Sequence, residues 1–120
     1  MSISVTHQEF NGVQVLTIGS EQFSIDELNT QEISQQLLDI VVSVPPQVVI
    51  DMQHVDFYGS SFIETLFRLW NRIKVNDDGK FALCGLKDYC REILVVTNLD
   101  SVWPIYDNVE IAVEKMSAGE

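Results

Sequence analysis

Apolar positions in this chain change their period several times, and each change marks an element. Residues 3–9 set Ile3 and Val5 against Ser4 and Thr6, the period of two that a strand shows. Asn11-Gly12 is a hairpin signal. Val13, Val15, Leu16 and Ile18 then predict a second strand, closed by Gly19. Residues 20–25 show no period. Leu28, Ile33, Leu37, Leu38 and Val41 return at helical spacing and predict a helix over 26–43, stopped before Pro45-Pro46. Its start is read from Ser24-x-x-Glu27, which has the capping-box spacing, and from the acidic pair Asp26-Glu27.

Gln47–Met52 is almost wholly apolar, which predicts a strand covered on both faces. A polar loop follows, ending in Gly59-Ser60-Ser61. From Ser61, the positions Phe62, Ile63, Leu66, Phe67, Leu69, Trp70 and Ile73 outline a broad helical stripe, ended by Asp77-Asp78-Gly79. Glu64 and Arg68 are spaced as an i,i+4 ion pair on its other side. Lys80–Gly85 reads as another buried strand, and 88–97 as a helix that Asp88 can cap. Val102, Trp103, Ile105 and Tyr106 suggest a short strand, placed at an edge by Pro104. A last helix, begun by Asp107 or Asn108, turns Val109, Ala112, Val113 and Met116 to one side. The order β-β-α-β-α-β-α-β-α predicts an α/β fold. Its sheet is mixed but mostly parallel, with about five strands, an N-terminal antiparallel hairpin and about four helices.

Composition narrows the class. The 120 residues suit one domain over 1–120, and 46% hydrophobic residues can fill a core. No apolar run reaches the ~18 residues of a membrane span, and the start lacks the order of a signal peptide, so a cytoplasmic protein is expected. A formal net charge of -11 works against nucleic acid and anionic membranes as partners. Cys84 and Cys90 form neither a disulfide framework nor a CxxC pair. His7 and His54 stand apart from carboxylates at ligand spacing, so neither metal nor cofactor is expected. No nucleophile–base pair or phosphate-cradling glycine loop is present, so an enzyme is not expected.

The candidate chemistry lies where the central strand passes through Gly59-Ser60-Ser61 into a helix. A helix start presents free N–H groups and a positive dipole end, which tolerate a phosphate on a serine hydroxyl. Ser61-x-x-Glu64 is a second capping-box spacing, which makes Ser61 the expected cap and leaves Ser60 exposed at the turn. Tyr58 is expected at the surface as a partner anchor and Phe57 in the core. Asp51, ending the central strand, has the place of a receiver-domain phosphoacceptor. The acidic pair that would hold Mg²⁺ beside the first strand is missing, so Asp51 is read as a holder of loop N–H groups.

The element order, together with Val48-Val49-Ile50-Asp51, Val55 and Ser60-Ser61 before a helix, resembles the STAS domain, named for sulfate transporters and anti-sigma factor antagonists. Gly19, Gly79, Leu86, Ile93-Leu94, Leu99 and Ala112 extend the resemblance along nearly the whole chain. It implies an anti-sigma factor antagonist whose Ser60 is phosphorylated by a serine kinase that is itself the anti-sigma factor, so that phosphorylation breaks the complex. The partner surface it implies comprises Asp56, Tyr58, Gly59, Ser60, Ser61 and Glu64. The family's usual Asp-Ser-Ser-Gly-Leu stands here as Gly59-Ser60-Ser61-Phe62-Ile63. These two departures favour an alternative, a STAS adaptor or transporter or signalling-complex subunit that binds without being phosphorylated. A nucleotide or small-ligand sensor using the helix N-terminus is a third reading.

Overall fold

The computed structural model describes residues 3–117. Val5–Phe10 (β1) and Val13–Ile18 (β2) form the expected antiparallel hairpin. Its two-residue turn puts both Asn11 (φ 51°) and Gly12 (φ 82°) in the left-handed region, which Asn-Gly enters at low cost. Gln47–Asp51 (β4) pairs with β2, Lys80–Cys84 (β6) pairs with β4, and Ile105–Tyr106 (β7) pairs with β6, all parallel. The five-stranded sheet therefore runs β1-β2-β4-β6-β7, with β7 at an edge as Pro104 suggested. Its helices are Thr30–Val41 (α1), Ser60–Lys74 (α2), Asp88–Val96 (α3) and Val109–Ser117 (α4).

The apolar run of β4 has the predicted cause. Val48 and Ile50 face a large core with Ile33 and Leu37 of α1, Phe62, Leu66 and Leu69 of α2, and Leu94 of α3. Val49 faces the other way, onto Ala112, Val113 and Met116 of α4. Helices thus cover both faces of the central strands, and every side chain of Val48-Val49-Ile50 is buried.

Three expectations fail. The unpatterned stretch after Gly19 contains a strand, Phe23–Ile25 (β3), and the loop before the serines contains another, Val55–Tyr58 (β5); the two pair in parallel as a separate small sheet. Three-residue and four-residue strands are too short to display a period. α1 starts at Thr30, not near residue 26. Asp26 instead accepts hydrogen bonds on Oδ1 from the N–H groups of Leu28 and Asn29, while Asn29 Oδ1 accepts from the Asp26 N–H. That local Asx geometry competes with the helix and delays it by a turn, leaving Leu28 exposed and Ser24 within β3. The Glu64–Arg68 ion pair is not formed; among the described residues the ion pairs are Lys87–Asp56 and Arg91–Asp107.

Candidate functional site

Asp51 anchors the turn that leads from β4 into β5. This carboxylate is buried at the end of β4. Its Oδ2 accepts from Thr17 Oγ1 at 3.0 Å and from Gln53 Nε2 at 2.6 Å, and its Oδ1 accepts from the Gln53 N–H at 3.2 Å. Asp51 therefore does hold a loop N–H, as expected, and links β2 to the turn after β4. The Met52 N–H donates to the Cys84 carbonyl, and the Val55 N–H closes a turn on the Met52 carbonyl. The chain then enters β5 with little freedom left.

β5 delivers the site, and a register shift decides which side chains it shows. Phe23 of β3 lies opposite Val55, but Ser24 lies opposite Phe57, so Asp56 is an extra residue on β5. Such an insertion breaks the alternation of faces. Val55 and Tyr58 both turn inward, while Asp56 and Phe57 stay out. The expected roles of the two aromatics are thus reversed. Tyr58 is only 1% exposed, and its O–H donates to the Cys90 carbonyl of α3 at 2.9 Å. Burial, and secondarily the neighbouring Cys90, push its phenol well above the usual tyrosine range. Tyr58 therefore cannot present its ring to a partner. Phe57, 40% exposed, stacks on exposed Tyr89 with centroids 5.5 Å apart. Lys87 beside them donates to the Gln53 carbonyl at 2.7 Å and lies 3.7 Å from the Asp56 carboxylate. The short strand hid this aromatic pair from sequence reasoning; the i,i+32 pairing with α3 leaves no local signal.

Gly59 is the residue before the helix, with extended backbone (φ -104°, ψ -176°) and no side-chain cap. A side chain at this position would meet nothing, so glycine is not required there by space or conformation. Ser60 is the first residue of α2 and is exposed. The first turn of α2 carries no acidic residue, whereas its last turn carries Arg72 and Lys74. The positive end of the helix dipole at Ser60 is thus not offset by a carboxylate in its own turn. Ser61 does not cap α2, contrary to expectation, because the residue before the helix is Gly59, two positions earlier, which places Ser61 within the first turn. Its carbonyl instead accepts from Thr65 Oγ1, which also hydrogen-bonds Ser34 Oγ of α1 in the buried seam between the helices. Glu64 is exposed one turn along. Phe62, where the family pattern has glycine, is fully buried beside Tyr58, ring centroids 5.6 Å apart. It fills the core beneath the serines and does not obstruct the Ser60 hydroxyl.

Asp56, Ser60, Ser61 and Glu64 are exposed and Gly59 is partly exposed along the stretch from β5 into the first turns of α2, while Tyr58 is buried and Phe57 stacks on Tyr89. Among the described residues no group of three or more His, Cys, Asp or Glu is placed to hold a metal. His7 lies elsewhere, bonded through Nε2 to Gln14 Oε1. Cys84 and Cys90 are free and buried. No helix among the described residues is long and apolar enough to cross a membrane.

A mixed sheet with helices on both faces, and an exposed serine opening the helix after β5, is the arrangement expected of the STAS class. The STAS domain family model matches residues 4–112, and the chain belongs to that family. An anti-sigma-factor antagonist (STAS) domain protein from Planctomyces limnophilus is similar in structure, with TM-score 0.83 and 38% identity, over 98% of this chain and 99% of that one. The anti-sigma-F factor antagonist RsfB of Mycobacterium tuberculosis is 27% identical over 98% of this chain and 93% of its own length. An anti-sigma factor antagonist from Mycobacterium paratuberculosis, 24% identical, shares the fold with TM-score 0.82 over 96% of this chain and 94% of that one.

Proposed function

We propose that this chain is an anti-sigma factor antagonist that works by partner switching, with Ser60 as its phosphoacceptor. The partner is an anti-sigma factor that is also a serine kinase. The observation that carries the reading is Ser60 itself, exposed at the first position of α2 with no acidic residue in that turn. The kinase transfers the γ-phosphoryl group of ATP to Ser60 Oγ; the hydroxyl proton is lost and ADP leaves. The added charge of about -1.5 to -2 is accommodated by the helix N-terminus, so the fold persists. The same charge disrupts the complex, because a hydrated dianion replaces a neutral hydroxyl at the contact surface. That surface comprises Asp56, Gly59, Ser60, Ser61 and Glu64, extended by Phe57 and Tyr89. Aromatic pairs of this kind are suited to anchor a partner. The chain is the substrate of the transfer and performs no chemistry of its own, and it acts in the cytoplasm with sigma factors.

A second reading is favoured by one observation. Gly59 offers no carboxylate beside the serine hydroxyl, which suits a STAS adaptor that binds its partner without phosphorylation. Incubation with the cognate kinase and ATP, followed by mass spectrometry, separates the two. The switch predicts a single phosphate on Ser60 and none on Ser60→Ala. Modification elsewhere, with Ser60 untouched, removes the phosphoacceptor assignment. Equal partner affinity for Ser60→Ala and Ser60→Asp favours the adaptor.

A further inference from the structure

We infer that the groove between α1 and α2 is a second docking surface, built for an acidic amphipathic helix of a protein partner. It rests on the reading that this chain acts by binding protein, and not on phosphorylation of Ser60. The groove consists of two adjoining cavities of about 250 and 570 Å³ that share Leu38 and Arg68. It opens near the serine corner, where Ser61 forms part of its wall, and ends at Val75.

Its charge is the telling feature. The chain has 18 acidic and 7 basic residues, so an arginine should find a carboxylate easily. Arg68 and Arg72 line the groove one turn apart, both exposed, and neither has a carboxylate within ion-pair distance among the described residues. Glu64 lines the near cavity one turn before Arg68 on the same helix and does not take it up, whereas the far cavity holds both arginines and no carboxylate. Leu38 at the junction of the cavities and Val75 at the far end offer apolar contact, and Val75 is 77% exposed. At the near end Thr30 lines the groove, and its buried Oγ1 has no hydrogen-bond partner among the described residues. Two free guanidiniums one helical turn apart match two carboxylates at i,i+4 on a facing helix, and the apolar end matches the leucines on that helix's inner face. Nucleic acid or anionic lipid would also offer negative charge, but a chain of net charge -11 repels their extended phosphate arrays. An acidic helix places few charges and can set them against the arginines of the far cavity, away from Glu64.

A titration of the full-length, ¹⁵N-labelled chain tests this. The probe is a synthetic 15-residue helical peptide, the length of α2, with glutamates at i,i+4 beside a leucine stripe. The control has lysine in place of each glutamate. The glutamate peptide should shift the amide signals of Gln35, Leu38, Arg68 and Arg72 saturably. The lysine peptide should not. The double variant R68A/R72A should keep the signal dispersion of the folded parent and weaken binding by about tenfold. Saturable binding absent up to about 1 mM peptide overturns the proposal. So does equal binding of the two peptides, or perturbation confined to other surfaces. So does tighter binding of a DNA duplex or anionic vesicle at these residues, or concentration-dependent dimerisation through the groove. Kinase modification of Ser60 without peptide binding removes the groove and leaves the switch. Peptide binding with Ser60 never modified supports the groove and removes the switch.

Discussion

Tyr58 donates its phenolic O–H to the carbonyl of Cys90 at 2.9 Å, and this bond ties the strand that delivers Ser60 to α3. Both residues are buried, and Cys90 Sγ lies 3.5 Å from the Asp56 carbonyl and 3.8 Å from that of Val55, so β5 is held along its length. The serine corner is thereby set on a rigid support although β5 is only four residues long. Tyr58→Phe removes the bond and keeps the ring. It is expected to cost about 1 kcal/mol, or about 4 °C in thermal midpoint, measured by urea and thermal unfolding. Tyr58→Ala also opens a cavity against Phe62 and is expected to cost about 3–5 kcal/mol.

A negative charge at the start of α2 should stabilise the fold. With no carboxylate in that turn, Ser60→Asp is expected to gain about 0.3–1 kcal/mol at low salt, and less in high salt. Gly59→Asp, facing open space, should be neutral or gain a few tenths of a kcal/mol. Chemical denaturation of the three proteins side by side checks both. Loss of stability in Ser60→Asp would mean that the switch proposed for Ser60 acts on the fold and not on the interface.

The exposed aromatic pair should matter to binding and little to folding. Phe57→Ala and Tyr89→Ala each remove half of an exposed stack and should leave the unfolding midpoint nearly unchanged. Each is expected to weaken the complex with the proposed anti-sigma partner by about 1–2 kcal/mol, read by calorimetry.

The two thiols should resist alkylation in the native protein at pH 8 and react after denaturation, as read by mass spectrometry with iodoacetamide. Burial pushes both upward. For Cys84 the charge of Asp51 and the S–H bond to it add to burial. For Cys90 Asp56 adds, against an opposing effect from Lys87. Raised folded values mean that the thiols stay protonated in the native state while the unfolded chain loses its protons above about pH 8.5. Stability is then complete below that pH and falls as pH rises. Each thiol that titrates only when unfolded contributes a slope of about 1.4 kcal/mol per pH unit. The buried phenol of Tyr58 adds to the fall above about pH 10. Urea midpoints from pH 7 to 10.5 measure it, and Cys84→Ala should flatten the curve.

Gly79→Ala should be among the most disruptive single-methyl changes. An added Cβ would overlap the backbone carbonyl of Ile73 at the end of α2, where no side chain can move aside. The expected cost is about 1–3 kcal/mol, measured by urea unfolding.

The sequence by itself determined the layout wherever a period runs long enough to be seen. The apolar β4, the stripe of α2 and the Asn11-Gly12 turn follow from local geometry, because burial on one face or two imposes its own spacing on the residues. It also located the corner at Gly59-Ser60-Ser61, since a small-residue turn before a helical stripe is itself a local pattern. Tertiary structure decided what local pattern does not encode. The start of α1 went to the Asp26–Asn29 hydrogen bonds over the Ser24-x-x-Glu27 spacing. Which aromatic faces out on β5 was settled by the extra residue Asp56 opposite β3, a partner strand some 30 positions away in sequence. Ser61 lost its capping role to a helix that begins two residues earlier than such a cap would set it, and Arg68 was left without Glu64. In each case the outcome depends on a register or a neighbour fixed by distant residues, and those come together only when the chain folds.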